Sequence, residues 1–214
     1  LTQNRLQNID IDIAIYTRIT RDHLDYHKTM AQYAAAKARL LQNNPQYLII
    51  NASCPYTANL QARNTYTYSL HQSTLAHPAV YLQNMSAHES GFNADIITPW
   101  GEGKLNCPLL GEFNLENTLA MLTALALMQI PLQDILAAIA DLSSAPGRLE
   151  TFKSSAGKTI IVDYAHTPDA LERALIALRK HFPGKKLHCI FGCGGQRDTG
   201  KRALMGEAAA RHAD

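Results

Sequence analysis

KLHCIFGCGGQRDTGKRALMGEAAARH, residues 186–212, sets the architecture. An apolar run, LHCIF (187–191), enters a glycine-rich turn, which opens onto a run of helix formers, ALMGEAAARH (203–212). A strand, a glycine turn and a helix N-terminus in succession form the unit of an open α/β sheet. Such a turn offers backbone N–H groups and the positive end of a helix dipole to an anion. From Gly195 the spelling is G-x-x-x-x-G-K, the opening of a nucleotide P-loop, but Arg202 follows where a P-loop needs Ser or Thr to place a hydroxyl on magnesium. The turn is therefore either a degenerate nucleotide loop or an anion loop of another kind.

Upstream, LETF (149–152), TIIVDY (159–164) and KLHCIF (186–191) read as strands, with TPDALERALIALRKHF (167–182) as a helix opened by Thr167-Pro168. SSAPGR (143–148) has the Ser/Pro/Gly composition of a linker. Before it, GEFNLENTLAMLTALALMQI (111–130) and PLQDILAAIADL (131–142) read as two helices, the first of them buried. Nearer the N-terminus, IDIAIYT (11–17), YLIIN (47–51) and VYLQN (80–84) read as strands, and GFNADIITPWGEGKLNCPLL (91–110) as a hairpin turning at Gly101-Glu102-Gly103. TMAQYAAAKARLLQNN (29–44) has an N-cap candidate, a run of alanines and Pro45 beyond its end, so it is a helix. The fold class is α/β, in two units: a mainly parallel sheet with a strand-rich excursion, then a Rossmann-like unit.

Composition narrows the function. Of 214 residues, 46% are hydrophobic, enough for a substantial core, while a net charge of +2 provides no basic block for a nucleic-acid backbone. Cys54, Cys107, Cys189 and Cys193 lack CxxC spacing, which argues against a zinc ribbon or a disulfide framework and leaves a reducing cytoplasm as the expected location. No apolar run is long enough to span a bilayer, so no membrane partner is expected. The chain begins at Leu1 rather than Met and stops at Asp214 just past a helical pattern, as a piece of something longer would.

Several positions can carry chemistry. RDHLDYH (21–27) sets two histidines and two aspartates directly after a strand, as a metal site would, although a polar loop leading into a helix would read the same. Lys37, in AAAK, is either a solvated helix lysine or an amine that captures carbon dioxide as a carbamate. Asn114 and Asn117 lie one helical turn apart and either read an adenine edge or cap a helix. Asp163, Tyr164 and His166 fall at the carboxyl end of a strand, where open sheets bind ligands. Arg148, beside Gly147, is a surface arginine or a phosphate contact.

Five ordered blocks go further: YTRITRDHLDYHKTMAQYAAAKARLL (16–41), GEFNLENTLAMLTAL (111–125), APGRLETF (145–152), VDYAHTPDALERAL (162–175) and FGCGGQRDTGKRALMGEAA (191–209). Together they resemble the Mur ligase family. The resemblance implies most of a central ATPase-type domain over 1–146 and the first part of the C-terminal domain over 147–214, with the N-terminal domain, the P-loop and the end of the C-terminal domain outside this chain. It implies an ATP- and Mg2+-dependent amide ligase acting through an acyl phosphate. The substrates would be UDP-MurNAc-L-Ala-D-Glu and a diamino acid, with meso-2,6-diaminopimelate ahead of lysine. A folylpolyglutamate-synthetase-like ligase is the near alternative, a monomer is expected, and the piece alone is expected to be an inactive scaffold.

By the same resemblance His23 is a magnesium ligand and Lys37, carbamylated, supports a second magnesium. Asn114, Asn117, Arg148, Asp163 and, more loosely, His166 serve ATP. Gln3 and Arg5 hold the UDP-MurNAc-dipeptide, and Arg197 grips the incoming amino acid. Two residues depart from the family pattern: Arg18 stands where Asn is usual, and Gln196 where Asp is usual.

Overall fold

The computed structural model describes residues 9–19, 27–57, 59–72, 78–193 and 200–214. Eight strands and five helices are described. A six-stranded sheet runs β1 (Ile13–Tyr16), β2 (Tyr47–Asn51), β3 (Asn64–Ser69), β4 (Val80–His88), β5 (Gly91–Thr98), β6 (Gly101–Cys107) in sequence order. The pairs β1–β2, β2–β3 and β3–β4 are parallel, with Tyr16 opposite Ile50 and Asn51 opposite Tyr68, so their carboxyl ends lie together. The chain divides into two compact units. One holds the chain up to Asn84, Ala94–Lys104 and Glu116–Ala137; the other holds Met85–Asn93, Leu105–Leu115 and Ala138–Asp214. Among the described residues no helix is long and apolar enough to cross a membrane.

In the first unit, α1 (Met30–Ala38) starts where the Thr29 side chain accepts the N–H of Gln32 at 3.2 Å. It tightens into a 3-10 turn, Arg39–Asn43, and stops at Asn44, whose left-handed backbone (φ 46°) precedes the helix-breaking Pro45. Its one buried residue, Tyr33, joins Ala14, Tyr16, Ile19, Leu48, Ile50 and Cys54 in the core under the parallel strands. In α2 (Glu112–Leu127), Leu115, Leu119 and Leu122 are wholly buried, each contributing about 2 kcal/mol of apolar burial. The helix α3 (Leu132–Ala140) begins just after Pro131.

Three readings change. The strand β3, NTYTYS, was not anticipated, although its alternating tyrosines carry the period-2 signal of a half-buried strand. The hairpin turns at Pro99-Trp100 rather than at Gly101–Gly103, because the Thr98 hydroxyl accepts the Trp100 N–H at 3.1 Å and donates to the Gly101 carbonyl at 2.8 Å. KLHCIF forms no strand: β7 (Glu150–Lys153) and β8 (Thr159–Val162) make a two-stranded antiparallel sheet that residues 186–191 do not join. Leu187 and Cys189 still pack inward while Ile190 is 98% exposed, so side-chain alternation is present without a backbone ladder.

The second unit packs α4 (Pro168–His181) against α5 (Lys201–His212). Leu110, Leu149, Ala174, Leu178 and Phe182 form one core cluster, and Leu171, Leu175 and Met205 another. Gly91 opens β5 with φ 143°, and a Cβ there would lie 2.0 Å from the Cys107 carbonyl oxygen, so only glycine fits.

His181 is the polar hub of this unit. The Gly111 N–H donates to its Nε2 at 2.9 Å, its Nδ1–H donates to the His88 carbonyl at 2.7 Å, and Phe92 meets its ring edge-on at 4.6 Å. Both nitrogens are therefore committed as the neutral ring, and burial holds the imidazole below its ordinary value. Below about pH 6.5 the unfolded chain binds a proton that the folded chain refuses, so this contribution to stability is present above that pH and is lost as pH falls toward the folded-state value. Melting curves between pH 7 and 5 should show a steeper acid loss for the wild type than for His181→Gln, which does not titrate. Parallel pH profiles would overturn this assignment.

Candidate functional site

The residues singled out in VDYAHTPDAL and APGRLETF converge where β8 turns into α4. Thr167 caps α4, accepting the Ala170 N–H at 3.3 Å, and Pro168 supplies a first-turn residue that needs no donor. In the preceding corner the Asp163 carboxylate acts as a clamp. Its Oδ1 accepts the N–H of Ala165 at 2.9 Å and its Oδ2 the N–H of Leu149 at 3.0 Å, so two chain segments hang on one side chain. Leu149 is buried and left-handed (φ 48°), a conformation that costs a branched residue free energy and that the clamp and its apolar pocket offset. Gly147, also left-handed at φ 68°, donates its N–H to Glu150 at 2.9 Å.

Held between those two residues, Arg148 is exposed, with its guanidinium 5.1 Å from the centre of the Tyr164 ring. The Tyr164 ring meets His166 edge-on at 5.0 Å, and His166 Nδ1–H donates to the Tyr164 carbonyl at 3.0 Å. Lys201, at the start of α5, reaches the His166 carbonyl at 3.3 Å. One corner thus displays an aromatic face, two cations and a helix N-terminus. That combination suits a ligand with a flat ring and negative charge. Lys201 was not among the residues singled out from the sequence; its signal was position, at the start of the helix that follows the glycine loop.

Asn114 and Asn117 lie on α2, one turn apart. Asn114 donates its amide back to the Leu110 carbonyl at 2.8 Å, as a residue securing a helix start does, and Asn117 is exposed. Lys37 sits in the last turn of α1, exposed, its ammonium 5.4 Å from the centre of the Tyr33 ring and its carbonyl held by the Tyr16 hydroxyl at 2.7 Å. Burial pushes that tyrosine up to about 12. Gln3, Arg5, His23, Gln196 and Arg197 lie outside the described residues, as does most of the glycine loop.

Among the described residues no three His, Cys, Asp or Glu side chains group as a metal site. Lys37 is exposed, has no carboxylate partner among the described residues and sits on an anchored helix end, so its amine is accessible.

Arg18 shows its place in the structure. Its Nε and Nη2 donate to the two oxygens of Glu116 at 3.2 and 2.5 Å, a bidentate pair spanning 98 residues of chain. Glu116, a largely buried acid on α2, is the partner that the sequence did not single out. An arginine where asparagine is usual was the signal that a matching acid should exist.

Two family descriptions match the chain: Mur ligase middle domain over residues 1–125 and Mur ligase, glutamate ligase domain over residues 147–214. The chain belongs to the Mur ligase family. It is 40% identical over 226 aligned positions to the UDP-N-acetylmuramoyl-L-alanyl-D-glutamate--2,6-diaminopimelate ligase of Coxiella burnetii, covering all of this chain and 45% of that protein. To the Pseudomonas aeruginosa protein of the same name it is 43% identical over 219, covering all of this chain and 44% of that protein. A solved structure of a protein with that name superposes with a TM-score of 0.75 at 38% identity, over all of this chain and 44% of the other. This chain therefore spans a little under half the length of these relatives.

Proposed function

We propose that this chain belongs to an ATP-dependent amide ligase of peptidoglycan precursor assembly, which joins meso-2,6-diaminopimelate to UDP-MurNAc-L-Ala-D-Glu. The observation that carries this reading is identity of about 40% along the whole chain to ligases of that name. Residues 1–146 serve as the central domain and 147–214 as the start of the C-terminal domain. The protein works in the cytoplasm as a monomer.

In the proposed reaction the side-chain carboxylate of D-glutamate attacks the γ-phosphorus of ATP, forming an acyl phosphate and releasing ADP. The amine of the diamino acid then attacks the acyl carbon, phosphate leaves, and the amine's proton passes to solvent. Arg148 places positive charge on the nucleotide's phosphates, and Tyr164 and His166 flank it with ring faces. Asp163 accepts the ribose hydroxyls through lone pairs that its two backbone contacts leave open, and Asn114 and Asn117 contact the adenine edge. Gln3 and Arg5 hold the UDP-MurNAc-dipeptide, and Arg197 pairs with a carboxylate of the incoming amino acid. His23 and the Lys37 carbamate would hold Mg2+, which supplies charge neutralisation on phosphate oxygens when bound.

The test is ADP release by a chain extended to the length of its relatives. Release should require the dipeptide nucleotide, and amide product should require diaminopimelate and form poorly with lysine. ADP release indifferent to the dipeptide nucleotide would overturn the reading.

A further inference from the structure

At the carboxyl ends of β1, β2 and β3 the first unit gathers side-chain donors that lack well-formed acceptors among the described residues. Arg18, two residues past β1, spends Nε and Nη2 on Glu116, while its Nη1 makes no hydrogen bond among the described residues. The two side chains differ in exposure: Arg18 is 38% exposed and Glu116 only 9%. The carboxylate is thus the buried anchor, and the guanidinium is the part that faces outward. A buried carboxylate left alone would carry a large desolvation penalty, so the pair is held together, with the arginine's plane and direction set by the fork.

Two further donors lie nearby. Asn51, the last residue of β2, and Tyr68, opposite it on β3, are both 0% exposed. Asn51 turns its Oδ1 to the Ser53 N–H at 2.8 Å, which directs its Nδ2 away from that turn. Among the described residues neither Asn51 Nδ2 nor the Tyr68 hydroxyl has a well-formed hydrogen bond, and the Asn51 side chain lies close to the phenol. Burial and the neighbouring Glu116 charge push the Tyr68 phenol well above its ordinary value, so it keeps its proton. The backbone around them is fixed, because the Ile19 N–H donates to Cys54 Sγ at 3.5 Å and the Cys54 N–H donates to the Asn51 carbonyl at 3.1 Å.

We infer that Arg18, preset by Glu116, receives an oxyanion of the reacting substrates through Nη1, at a strand end backed by the buried Asn51 and Tyr68. The inference rests on the ligase reading for the identity of the ligand: a phosphoryl oxygen of ATP or the carboxylate of the dipeptide nucleotide. It rests on geometry alone for the anion. The carboxyl edge of a parallel sheet is where such a ligand meets converging donors, and an arginine whose orientation is already fixed loses less entropy on binding than a free one.

The experiment uses a chain of the relatives' length and three probes: a non-hydrolysable ATP analogue, UDP-MurNAc-L-Ala-D-Glu and inorganic tripolyphosphate, each titrated calorimetrically. Arg18→Gln should weaken one of the two natural ligands about 10- to 100-fold, the scale of a lost charge-assisted contact. Loss confined to the ATP analogue and tripolyphosphate identifies the phosphoryl source, and loss confined to the dipeptide nucleotide identifies the carboxylate. Glu116→Gln should give a smaller loss on the same ligand, since its amide keeps one acceptor for the guanidinium but loses the charge and the second arm of the fork. Should Arg18→Gln fail to fold, Arg18→Lys keeps the cation without the fork and should weaken the same ligand several-fold. Unchanged affinity for all three probes in folded variants, with only a lower melting temperature, would make the pair a mere cross-link and overturn the inference. A wild-type protein that binds tripolyphosphate through Arg18 but neither natural ligand would instead sink the ligase reading and leave the anion site standing.

Discussion

In a chain extended to the length of its relatives, Lys37→Ala is expected to lose turnover by about 100-fold or more, a scale set by the cost of weakening a metal's ligand shell at the centre of phosphoryl transfer. Short carboxylic acids such as formate or acetate should restore part of it, because they can occupy the place of the carbamate. Rescue separates the two readings of this lysine. As a solvated side chain lying over Tyr33 it contributes at most a weak cation–π contact, about 0.5–1 kcal/mol at an exposed site, and its loss would leave turnover intact. Turnover like that of the wild type, or a loss that no carboxylate repairs, would remove Lys37 from the proposed site. The measurement is steady-state product formation with and without added acid at constant ionic strength.

Asp163→Ala should destabilise this chain by about 2–4 kcal/mol, since a hydrogen bond to a charged group is worth about 1.5–3 kcal/mol and the substitution strips acceptors from two backbone N–H groups at once. The Leu149 N–H belongs to a left-handed residue in an apolar pocket, so the loop cannot turn to water without surrendering that burial. Asp163→Asn keeps one oxygen acceptor and should lose roughly half as much. Urea denaturation reads both variants. Equal and negligible losses would mean that the clamp is dispensable and that Asp163 is held in place for the ligand alone. In the extended chain, nucleotide binding measured on the Asn variant then isolates the ribose contact from the structural one.

Local signals made much of this legible in advance. Thr29 and Thr167 announced their helices because a side-chain oxygen before a helical run has one evident use, and both accept the N–H three residues on. Asp163, Tyr164 and His166 were found together because a strand end followed by Thr-Pro fixes where a corner must fall. By contrast, KLHCIF has the alternation of a strand but forms no ladder, since pairing belongs to two segments and only one of them is written in those six residues.

The sequence by itself determined the α/β class, the helix boundaries, the family and the identity of most candidate residues, all of which depend on residue type and short spacings. Only the tertiary structure decided that Asp163 clamps Leu149, that His181 is a neutral hub between Gly111 and His88, and that Arg18 is answered by Glu116. Those partners lie 14 to 98 positions apart in the chain. Which donor meets which acceptor across such gaps depends on how the burial of Leu149, Leu115 and their neighbours brings the segments together, because an unpaired polar group in that interior costs more free energy than any local propensity supplies.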